Sequence, residues 1–368
     1  MILVNEPVIG AAERAYVQEC LETGWVSSAG RFIDEFETAW ASYCGTRHGV
    51  AVANGTVALE LAVWALDLEP GSEIIMPTFT IVSCALAATR NGCVPVLVDA
   101  DPETWCMDAG AIEARITERT RAIMPVHIYG HPVDMDPVRD IARRHGLVVI
   151  EDAAEAHGAT YRGTRCGGLG DLSCFSFYAN KIVTTGEGGM VLTDDDALAE
   201  RLRSGRNLCF RDDRRFWHTE DGFNFRLTNL QAALGLGQVE RIDELVARKR
   251  TVGARYTAGL AGLPLQLPVE REWAENVYWM YGVVADEDSG ITAADLAGRL
   301  AERGVQTRPF FTGMHEQPVF LERGLFAGER YPVAERLARQ GLYLPSGLAL
   351  SDEQQAEVIA AVHEALGA

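Results

Sequence analysis

Between residues 73 and 150, four short apolar runs alternate with segments of helical character, and this alternation constrains the fold more than any other feature of the chain. The runs are Glu73–Met76, Val94–Val98, Ala122–Val126 and Leu147–Ile150. They are apolar on consecutive residues rather than on every second one, so both faces of each strand are expected to be covered. The helical segments between them include Asp136–His145, ended by Gly146. The pattern predicts an α/β fold built on a largely parallel sheet with helices on both faces.

The same alternation begins near residue 32. Ile33, Phe36, Trp40 and Tyr43 fall at helical spacing and predict an amphipathic helix ending near Gly45. Val57–Leu66 is apolar on nearly every face, as a buried helix requires. Cys174–Phe177 and Met190–Leu192 read as further strands. From about Asn229 to Leu260 the pattern is helical for a long stretch interrupted by Gly235, Gly237 and Gly253, and reads as a connector between lobes. After Pro264 and Pro268 the pattern becomes α+β: a strand over Val277–Val284, a helix over Ala293–Arg303, a strand over Val305–Phe310, and a last helix opened by the capping box Ser351–Gln354. At 368 residues the chain suits two packed lobes. The division expected is a large α/β domain, residues 1–245, and a smaller C-terminal α+β domain, residues 246–368.

Charge excludes some functions. A formal net charge of -19 argues against a general binder of nucleic acid or anionic membrane, though not against a local basic pocket for a phosphorylated small molecule. The eight cysteines are scattered without a C-x-x-C pair, so neither a metal site nor a disulfide framework is expected. Reduced, buried thiols suit a cytoplasmic protein. The start, MILVNEPVIG, does not read as a signal peptide, and no run is long and apolar enough to predict a membrane span.

Three places carry chemistry. In Leu147–Gly158 an apolar strand ends in two acids, Glu151 and Asp152. In open α/β sheets ligands sit at the carboxyl ends of strands, so a functional carboxylate belongs here, although the same acid also suits a helix cap or an arginine pair. In Asp171–Gly189 a strand-like run is followed by Asn180-Lys181 and then Gly186, Gly188 and Gly189. A lysine held partly desolvated loses basicity and becomes a nucleophile toward a carbonyl, whereas arginine stays protonated. The alternative is a lysine facing solvent. Composition favours the first: the chain has only two lysines, Lys181 and Lys249, and its other 31 basic residues are arginine. Third, Asn54-Gly55-Thr56 precedes the buried helix and offers the free N–H groups of an anion site, or an ordinary N-cap. Together, a helix start for phosphate, an acid for a pyridine nitrogen and a lysine for an aldehyde are what pyridoxal 5'-phosphate requires.

Competing motifs fail. Gly168-Leu-Gly170 and Gly235-Leu-Gly237 lack the third glycine of a dinucleotide fingerprint, and no Walker loop, G-x-S-x-G or H-E-x-x-H occurs. His127 ends an apolar strand, where a core position is as good a reading as a catalytic one.

The segments GWVSSAGRFIDEFE, ANGTVALELA, MPTFT, PVHIYGHPVDMD, VIEDAAEAHGA, GDLSCFSFYANKIVTTGEGG, GFNFRLTNLQAAL and TRPFF-TGMH occur in the order found in the DegT/DnrJ/EryC1/StrS sugar aminotransferases. The chain resembles that family from about Gly24 to His315. GRFIDEFE, the box containing Glu155, and VYWMYGV lean toward the members that aminate C4 of GDP-linked 4-keto-6-deoxymannose. The resemblance implies fold-type I and a homodimer with shared active sites. It implies that Lys181 binds the cofactor aldehyde and that Asp152 partners the ring nitrogen. By the same match, Gly55, Thr56 and Ser176 hold the phosphate, Asn229 reaches it from the neighbouring subunit, and Glu155 lies near the ring oxygen where many members have glutamine. Ile81 stands where many relatives stack an aromatic ring on the cofactor. The implied substrates are L-glutamate and a nucleotide-linked keto sugar. Arg31, Tyr129, His131, Arg226, Arg308 and His315 are the candidates for sugar and nucleotide contacts.

Amination at C3, or of a cyclitol ketone, is the alternative chemistry. Family dehydratases carry histidine in place of the lysine, so Lys181 argues against that activity. The rival of another class is a non-catalytic regulator on the same fold, against which Lys181 and Asp152 argue together.

Overall fold

The computed structural model describes residues 1–211 and 213–367. A seven-stranded sheet runs through the larger part of the chain. Its strands are β1 (His48–Val52), β2 (Glu73–Pro77), β3 (Val94–Val98), β4 (Thr120–Ile123), β5 (Val148–Asp152), β6 (Leu172–Ser176) and β7 (Gly189–Thr193). They lie in the order β1-β7-β6-β5-β4-β2-β3. From β6 across to β3 every neighbour is parallel, while β7 runs antiparallel to both β6 and β1. The carboxyl ends of β1, β5 and β6 therefore share one edge, with β5 the central strand of the sheet.

Helices cover this sheet: α1 (Ala11–Thr23), α2 (Arg31–Cys44), α3 (Gly55–Ala65), α4 (Ser83–Arg90), α5 (Met135–His145), α6 (Asp196–Arg206), α7 (Asn229–Val239) and α8 (Ile242–Leu260). On α2 the expected face is the buried one, with Ile33, Phe36 and Trp40 in the core and Gly45 ending the helix at φ 79°. Trp40 meets His157, Phe175 and Phe177 edge-on, each at a centroid separation of 5.0 Å. This aromatic box fixes the chain as it leaves β6.

The connector differs from its sequence reading. The helix breaks at Glu240–Arg241, not at a glycine. Gly235 and Gly237 lie inside α7, where a methyl group would meet the Phe36 ring and Glu13 at under 3 Å. These glycines admit close helix packing rather than ending the helix.

The smaller part is a four-stranded antiparallel sheet in the order Leu265–Gln266, Tyr281–Ala285, Gly341–Leu344, Arg308–Pro309. Two expected strands are shortened. The first starts only at Tyr281, because Tyr278 takes a left-handed conformation (φ 48°) and turns residues 277–280 toward the larger lobe. The second reduces to Arg308–Pro309 at the sheet edge, the place that tolerates a proline. The helix α8 contributes Ile242 and Leu245 to the larger core and Val252, Tyr256 and Leu260 to the smaller one. The chain's start also joins the smaller part, since Ile2 exchanges backbone hydrogen bonds with Gly304 and Gln306. The last helix, Asp352–Leu366, carries the expected capping box between Ser351 and Gln354.

Candidate active site

A cavity of about 690 Å³ opens where the carboxyl ends of β1, β5 and β6 meet. Gly55, Thr56, Ile81, Asp152, Glu155, Ser176 and Lys181 all line it. The two acids ending β5 face opposite ways. Glu151 points away from the cavity and accepts hydrogen bonds from Nε2 of His127, the Ser173 hydroxyl and the N–H groups of Gly167, Leu169 and Gly170. Burial alone would raise its carboxyl, but those donors outweigh it and hold the carboxyl low. His127 is thus a buried structural group, its Nδ1 accepting from the Val133 N–H at 2.9 Å.

Asp152 faces the cavity and is 2 % exposed. Its Oδ1 accepts from the Ala154 N–H at 3.1 Å and its Oδ2 from the Cys84 thiol at 3.2 Å. Burial raises this carboxyl above the usual range, opposed by those two donors and by the Lys181 charge. A cationic partner in the cavity would relieve that penalty.

Lys181 sits in a tight turn after β6, its side chain 9 % exposed. Its Nζ lies 3.6 Å from the centroid of the Trp279 ring and 3.9 Å from Oε1 of Glu155. Burial lowers the basicity of the amine, while Glu155 and Asp152 pull it back up. The turn is held on both sides. The Asn180 carbonyl accepts from Trp279 Nε1 at 2.8 Å and from Asn5 Nδ2 at 3.1 Å, and the Val183 N–H donates to His157 Nδ1 at 3.2 Å. Glu155 is itself pinned, its Oε2 accepting the Tyr129 N–H at 2.7 Å, and burial raises its carboxyl.

At the other end of the cavity, Asn54 caps α3 by accepting from the Val57 N–H at 3.0 Å. The N–H groups of Gly55 and Thr56 have no acceptor among the described residues, as expected for a helix start. Gly55 is required there: a Cβ would sit 2.6 Å from the Cβ of Ser176. The Ser176 hydroxyl and a Thr56–Ser83 hydroxyl pair (2.8 Å) complete a cradle of donors. These features fit pyridoxal phosphate: unpaired donors at a helix start for its phosphate, a buried carboxylate for its ring nitrogen, and an amine of lowered basicity for its aldehyde.

Trp279, Phe311 and Tyr343 form a wall that the sequence pattern does not reveal, with Tyr178 and Asn180 beside it. Gly130 admits the wall. It adopts φ 99° and its Cβ position lies 2.8 Å from the Trp279 backbone nitrogen, so only glycine lets residues 277–279 approach this closely. Tyr129 backs the wall rather than lining the cavity, stacked on Phe311 at 5.8 Å. Arg308 is exposed and pairs with Tyr343 of that wall in the small sheet, with no carboxylate partner among the described residues.

The other candidates are not brought to the cavity. Arg31 is paired with Glu19 and Glu35, each at 2.7 Å. His131 is buried against the Pro132 carbonyl and the Arg271 N–H. Arg226 donates to Asn207 at 2.7 Å. His315 bridges Thr78 (2.8 Å) and Glu335 (3.4 Å), tying β2 to the smaller lobe. Asn229 has both ends of its carboxamide engaged in its own chain, accepting from the Phe32 N–H and donating to the Trp25 carbonyl and the Cys20 sulfur. That arrangement fixes the loop before α2.

The model of the DegT/DnrJ/EryC1/StrS aminotransferase family matches residues 7–363. The chain belongs to this family. It is 47% identical over 368 residues to GDP-perosamine synthase of Caulobacter vibrioides, covering 99% of this chain and 98% of that protein. GDP-perosamine synthase of Escherichia coli O157:H7 is 39% identical over 363 residues, covering 99% and 98% respectively. Among solved structures, S. venezuelae DesV superposes with a TM-score of 0.89 at 38% identity, covering 97% of this chain and 94% of that one. As a transaminase of this family the chain uses pyridoxal phosphate, and its central sheet is that of the fold-type I enzymes.

Proposed function

We propose that the chain transfers the amino group of L-glutamate to C4 of a nucleotide-linked 4-keto-6-deoxyhexose, with GDP as the nucleotide. The observation that carries this reading is the convergence of Lys181, Asp152 and the free N–H groups of α3 on one cavity large enough for a cofactor and a sugar. The full-length likeness to two GDP-perosamine synthases supports the choice of sugar and nucleotide.

Bound in this cavity, pyridoxal phosphate would supply a carrier for the amino group and an electron-accepting ring. The α3 N–H groups, Thr56 and Ser176 hold the phosphate. Asp152 keeps a proton on the ring nitrogen. Lys181, once free, carries the proton between cofactor carbon and substrate carbon as base and then acid. Glu155 stabilises the ammonium form of Lys181, and Trp279 and Phe311 exclude water from the amine. Ile81 lines the cavity and would offer the cofactor ring dispersion contact. Arg308, beside Tyr343 and without a carboxylate partner among the described residues, meets the nucleotide phosphates. Asn229, on the loop it fixes before α2, reaches the phosphate of the neighbouring subunit's site.

The enzyme works as a homodimer in the cytoplasm, with sites shared between subunits. Ile81 (41% exposed) and Tyr178 (47% exposed) support this, because both leave apolar surface at the cavity mouth for a second copy to cover. All eight thiols are free and buried. No helix among the described residues is long and apolar enough to cross a membrane. We divide the chain at residues 245 and 246, inside α8, whose Ile242, Leu245 and Val246 pack on the larger core and whose Val252, Tyr256 and Leu260 pack in the smaller one.

The test incubates purified protein with L-glutamate and a panel of nucleotide-linked 3-keto and 4-keto sugars and a cyclitol ketone. NMR then locates the new C–N bond. The expected result is 2-oxoglutarate formation with the 4-keto sugar and nitrogen at C4. Nitrogen at C3, turnover of the cyclitol alone, or no glutamate half-reaction overturns it.

A further inference from the structure

Cys84 is the second residue of α4, fully buried, with its sulfur 3.2 Å from Oδ2 of Asp152. The nearest other partner of the thiol is the Thr80 hydroxyl at 3.9 Å, a poorer acceptor than a carboxylate and farther away. Asp152 takes its remaining hydrogen bond from the Ala154 backbone at Oδ1. Among the described residues Cys84 is therefore the one side chain that donates to this carboxylate.

We propose that Cys84 is a positioning residue: its S–H donates to Oδ2 of Asp152 and sets the direction in which that carboxylate meets the cofactor's ring nitrogen. The inference rests on the reading of Asp152 as the ring-nitrogen partner and deepens it. Two donors, one on each oxygen, fix the rotation of the carboxylate plane about the end of β5. Without the thiol, Oδ1 alone is anchored and the plane turns freely.

Sulfur suits this position. A thiol is a weaker donor than a hydroxyl, so it orients the anion without neutralising the charge that must hold a proton on the ring. Burial, reinforced by the adjacent Asp152 charge, pushes the Cys84 thiol well up. It stays protonated, and hence a donor, throughout the range in which the enzyme operates. The same arrangement keeps Cys84 inert as a nucleophile, since the thiolate is the reactive form.

Infrared spectroscopy of the cofactor-free protein reads the contact directly, because S–H stretching falls in a window free of other protein bands. The difference between wild type and Cys84→Ala isolates one thiol among eight. Its band is expected at lower frequency than a free thiol, and to move upward in Asp152→Asn. A band that ignores Asp152→Asn overturns the proposal. The cofactor-loaded enzyme gives the second arm. Cys84→Ala should slow the glutamate half-reaction roughly three- to ten-fold, the worth of about one neutral hydrogen bond, with KM for glutamate little changed. Cys84→Ser should restore it to within about two-fold. Equal rates for the alanine and serine variants, or an alanine variant as fast as wild type, also overturn it. Failure of the underlying reading is distinguishable: Asp152→Asn would then keep the wild-type half-reaction rate while the infrared shift persists.

Discussion

At the scale of single residues, the site is a balance between burial and a few charges. Lys181 is made less basic by burial and more basic by Glu155, so removing the carboxylate has a definite sign. Glu155→Gln should lower the pH at which Lys181 of the cofactor-free protein becomes reactive toward an acylating reagent. Peptide mapping checks this cleanly, because the chain has one other lysine. Asp152→Asn keeps the volume but loses the charge, and should slow transamination on the order of 100-fold or more in single-turnover assays. Much of this was legible in the sequence: two lysines among 31 arginines singled out Lys181, and an apolar strand ending in acids singled out β5. Which acid faces the ligand was not legible from composition alone, because the two differ only in where the alternation of the strand places them. The arginine candidates show the limit more plainly. Arg31 is neutralised by Glu35, four residues on along the same helix, and by Glu19, twelve residues before it, which nothing in the local pattern reports.

At the scale of elements, the strand ends do the placing and the helices hold them still. Periodicity found most strands and the face of α2, because burial of an apolar stripe is a local property. It missed β1 and Gly341–Leu344. Trp40 on α2 packs on Phe175 and Phe177 at the end of β6 and on His157, which in turn fixes the Lys181 turn. Trp40→Ala should cost about 3–5 kcal/mol, checked by urea unfolding. It should also weaken cofactor retention, because the same ring supports the turn. Gly55→Ala tests the other end of the site. Its methyl group cannot fit against Ser176 without moving the start of α3, so the phosphate cradle opens. Loss of bound cofactor on gel filtration, with the far-ultraviolet circular dichroism unchanged, is the expected outcome.

At the scale of the whole molecule, two lobes complete one cavity. Trp279, Phe311 and Tyr343 reach Lys181 from roughly 100 residues or more along the chain, across α8. Sequence periodicity reports neighbours within an element, so this wall was invisible until the lobes were docked. The second lysine marks the same junction. Lys249 is buried, its amine donating to the Ser346 carbonyl, and burial lowers its pKa from 10.5 to about 7. The unfolded chain holds that proton up to about pH 10.5 while the folded chain releases it near 7. The penalty is therefore complete below about pH 7, shrinks as pH rises, and is gone above about 10.5. The urea midpoint of the wild type should thus rise relative to Lys249→Met between about pH 7.5 and 9.5. Both lysines are buried and both lose basicity, yet only Lys181 lines the main cavity beside Asp152. Borohydride reduction of the cofactor-loaded enzyme, followed by peptide mass spectrometry, separates them. The expected result is a pyridoxyl group on the peptide containing Lys181 alone. A label on Lys249, or none on either lysine, would contradict the assignment of Lys181 as the residue that holds the cofactor.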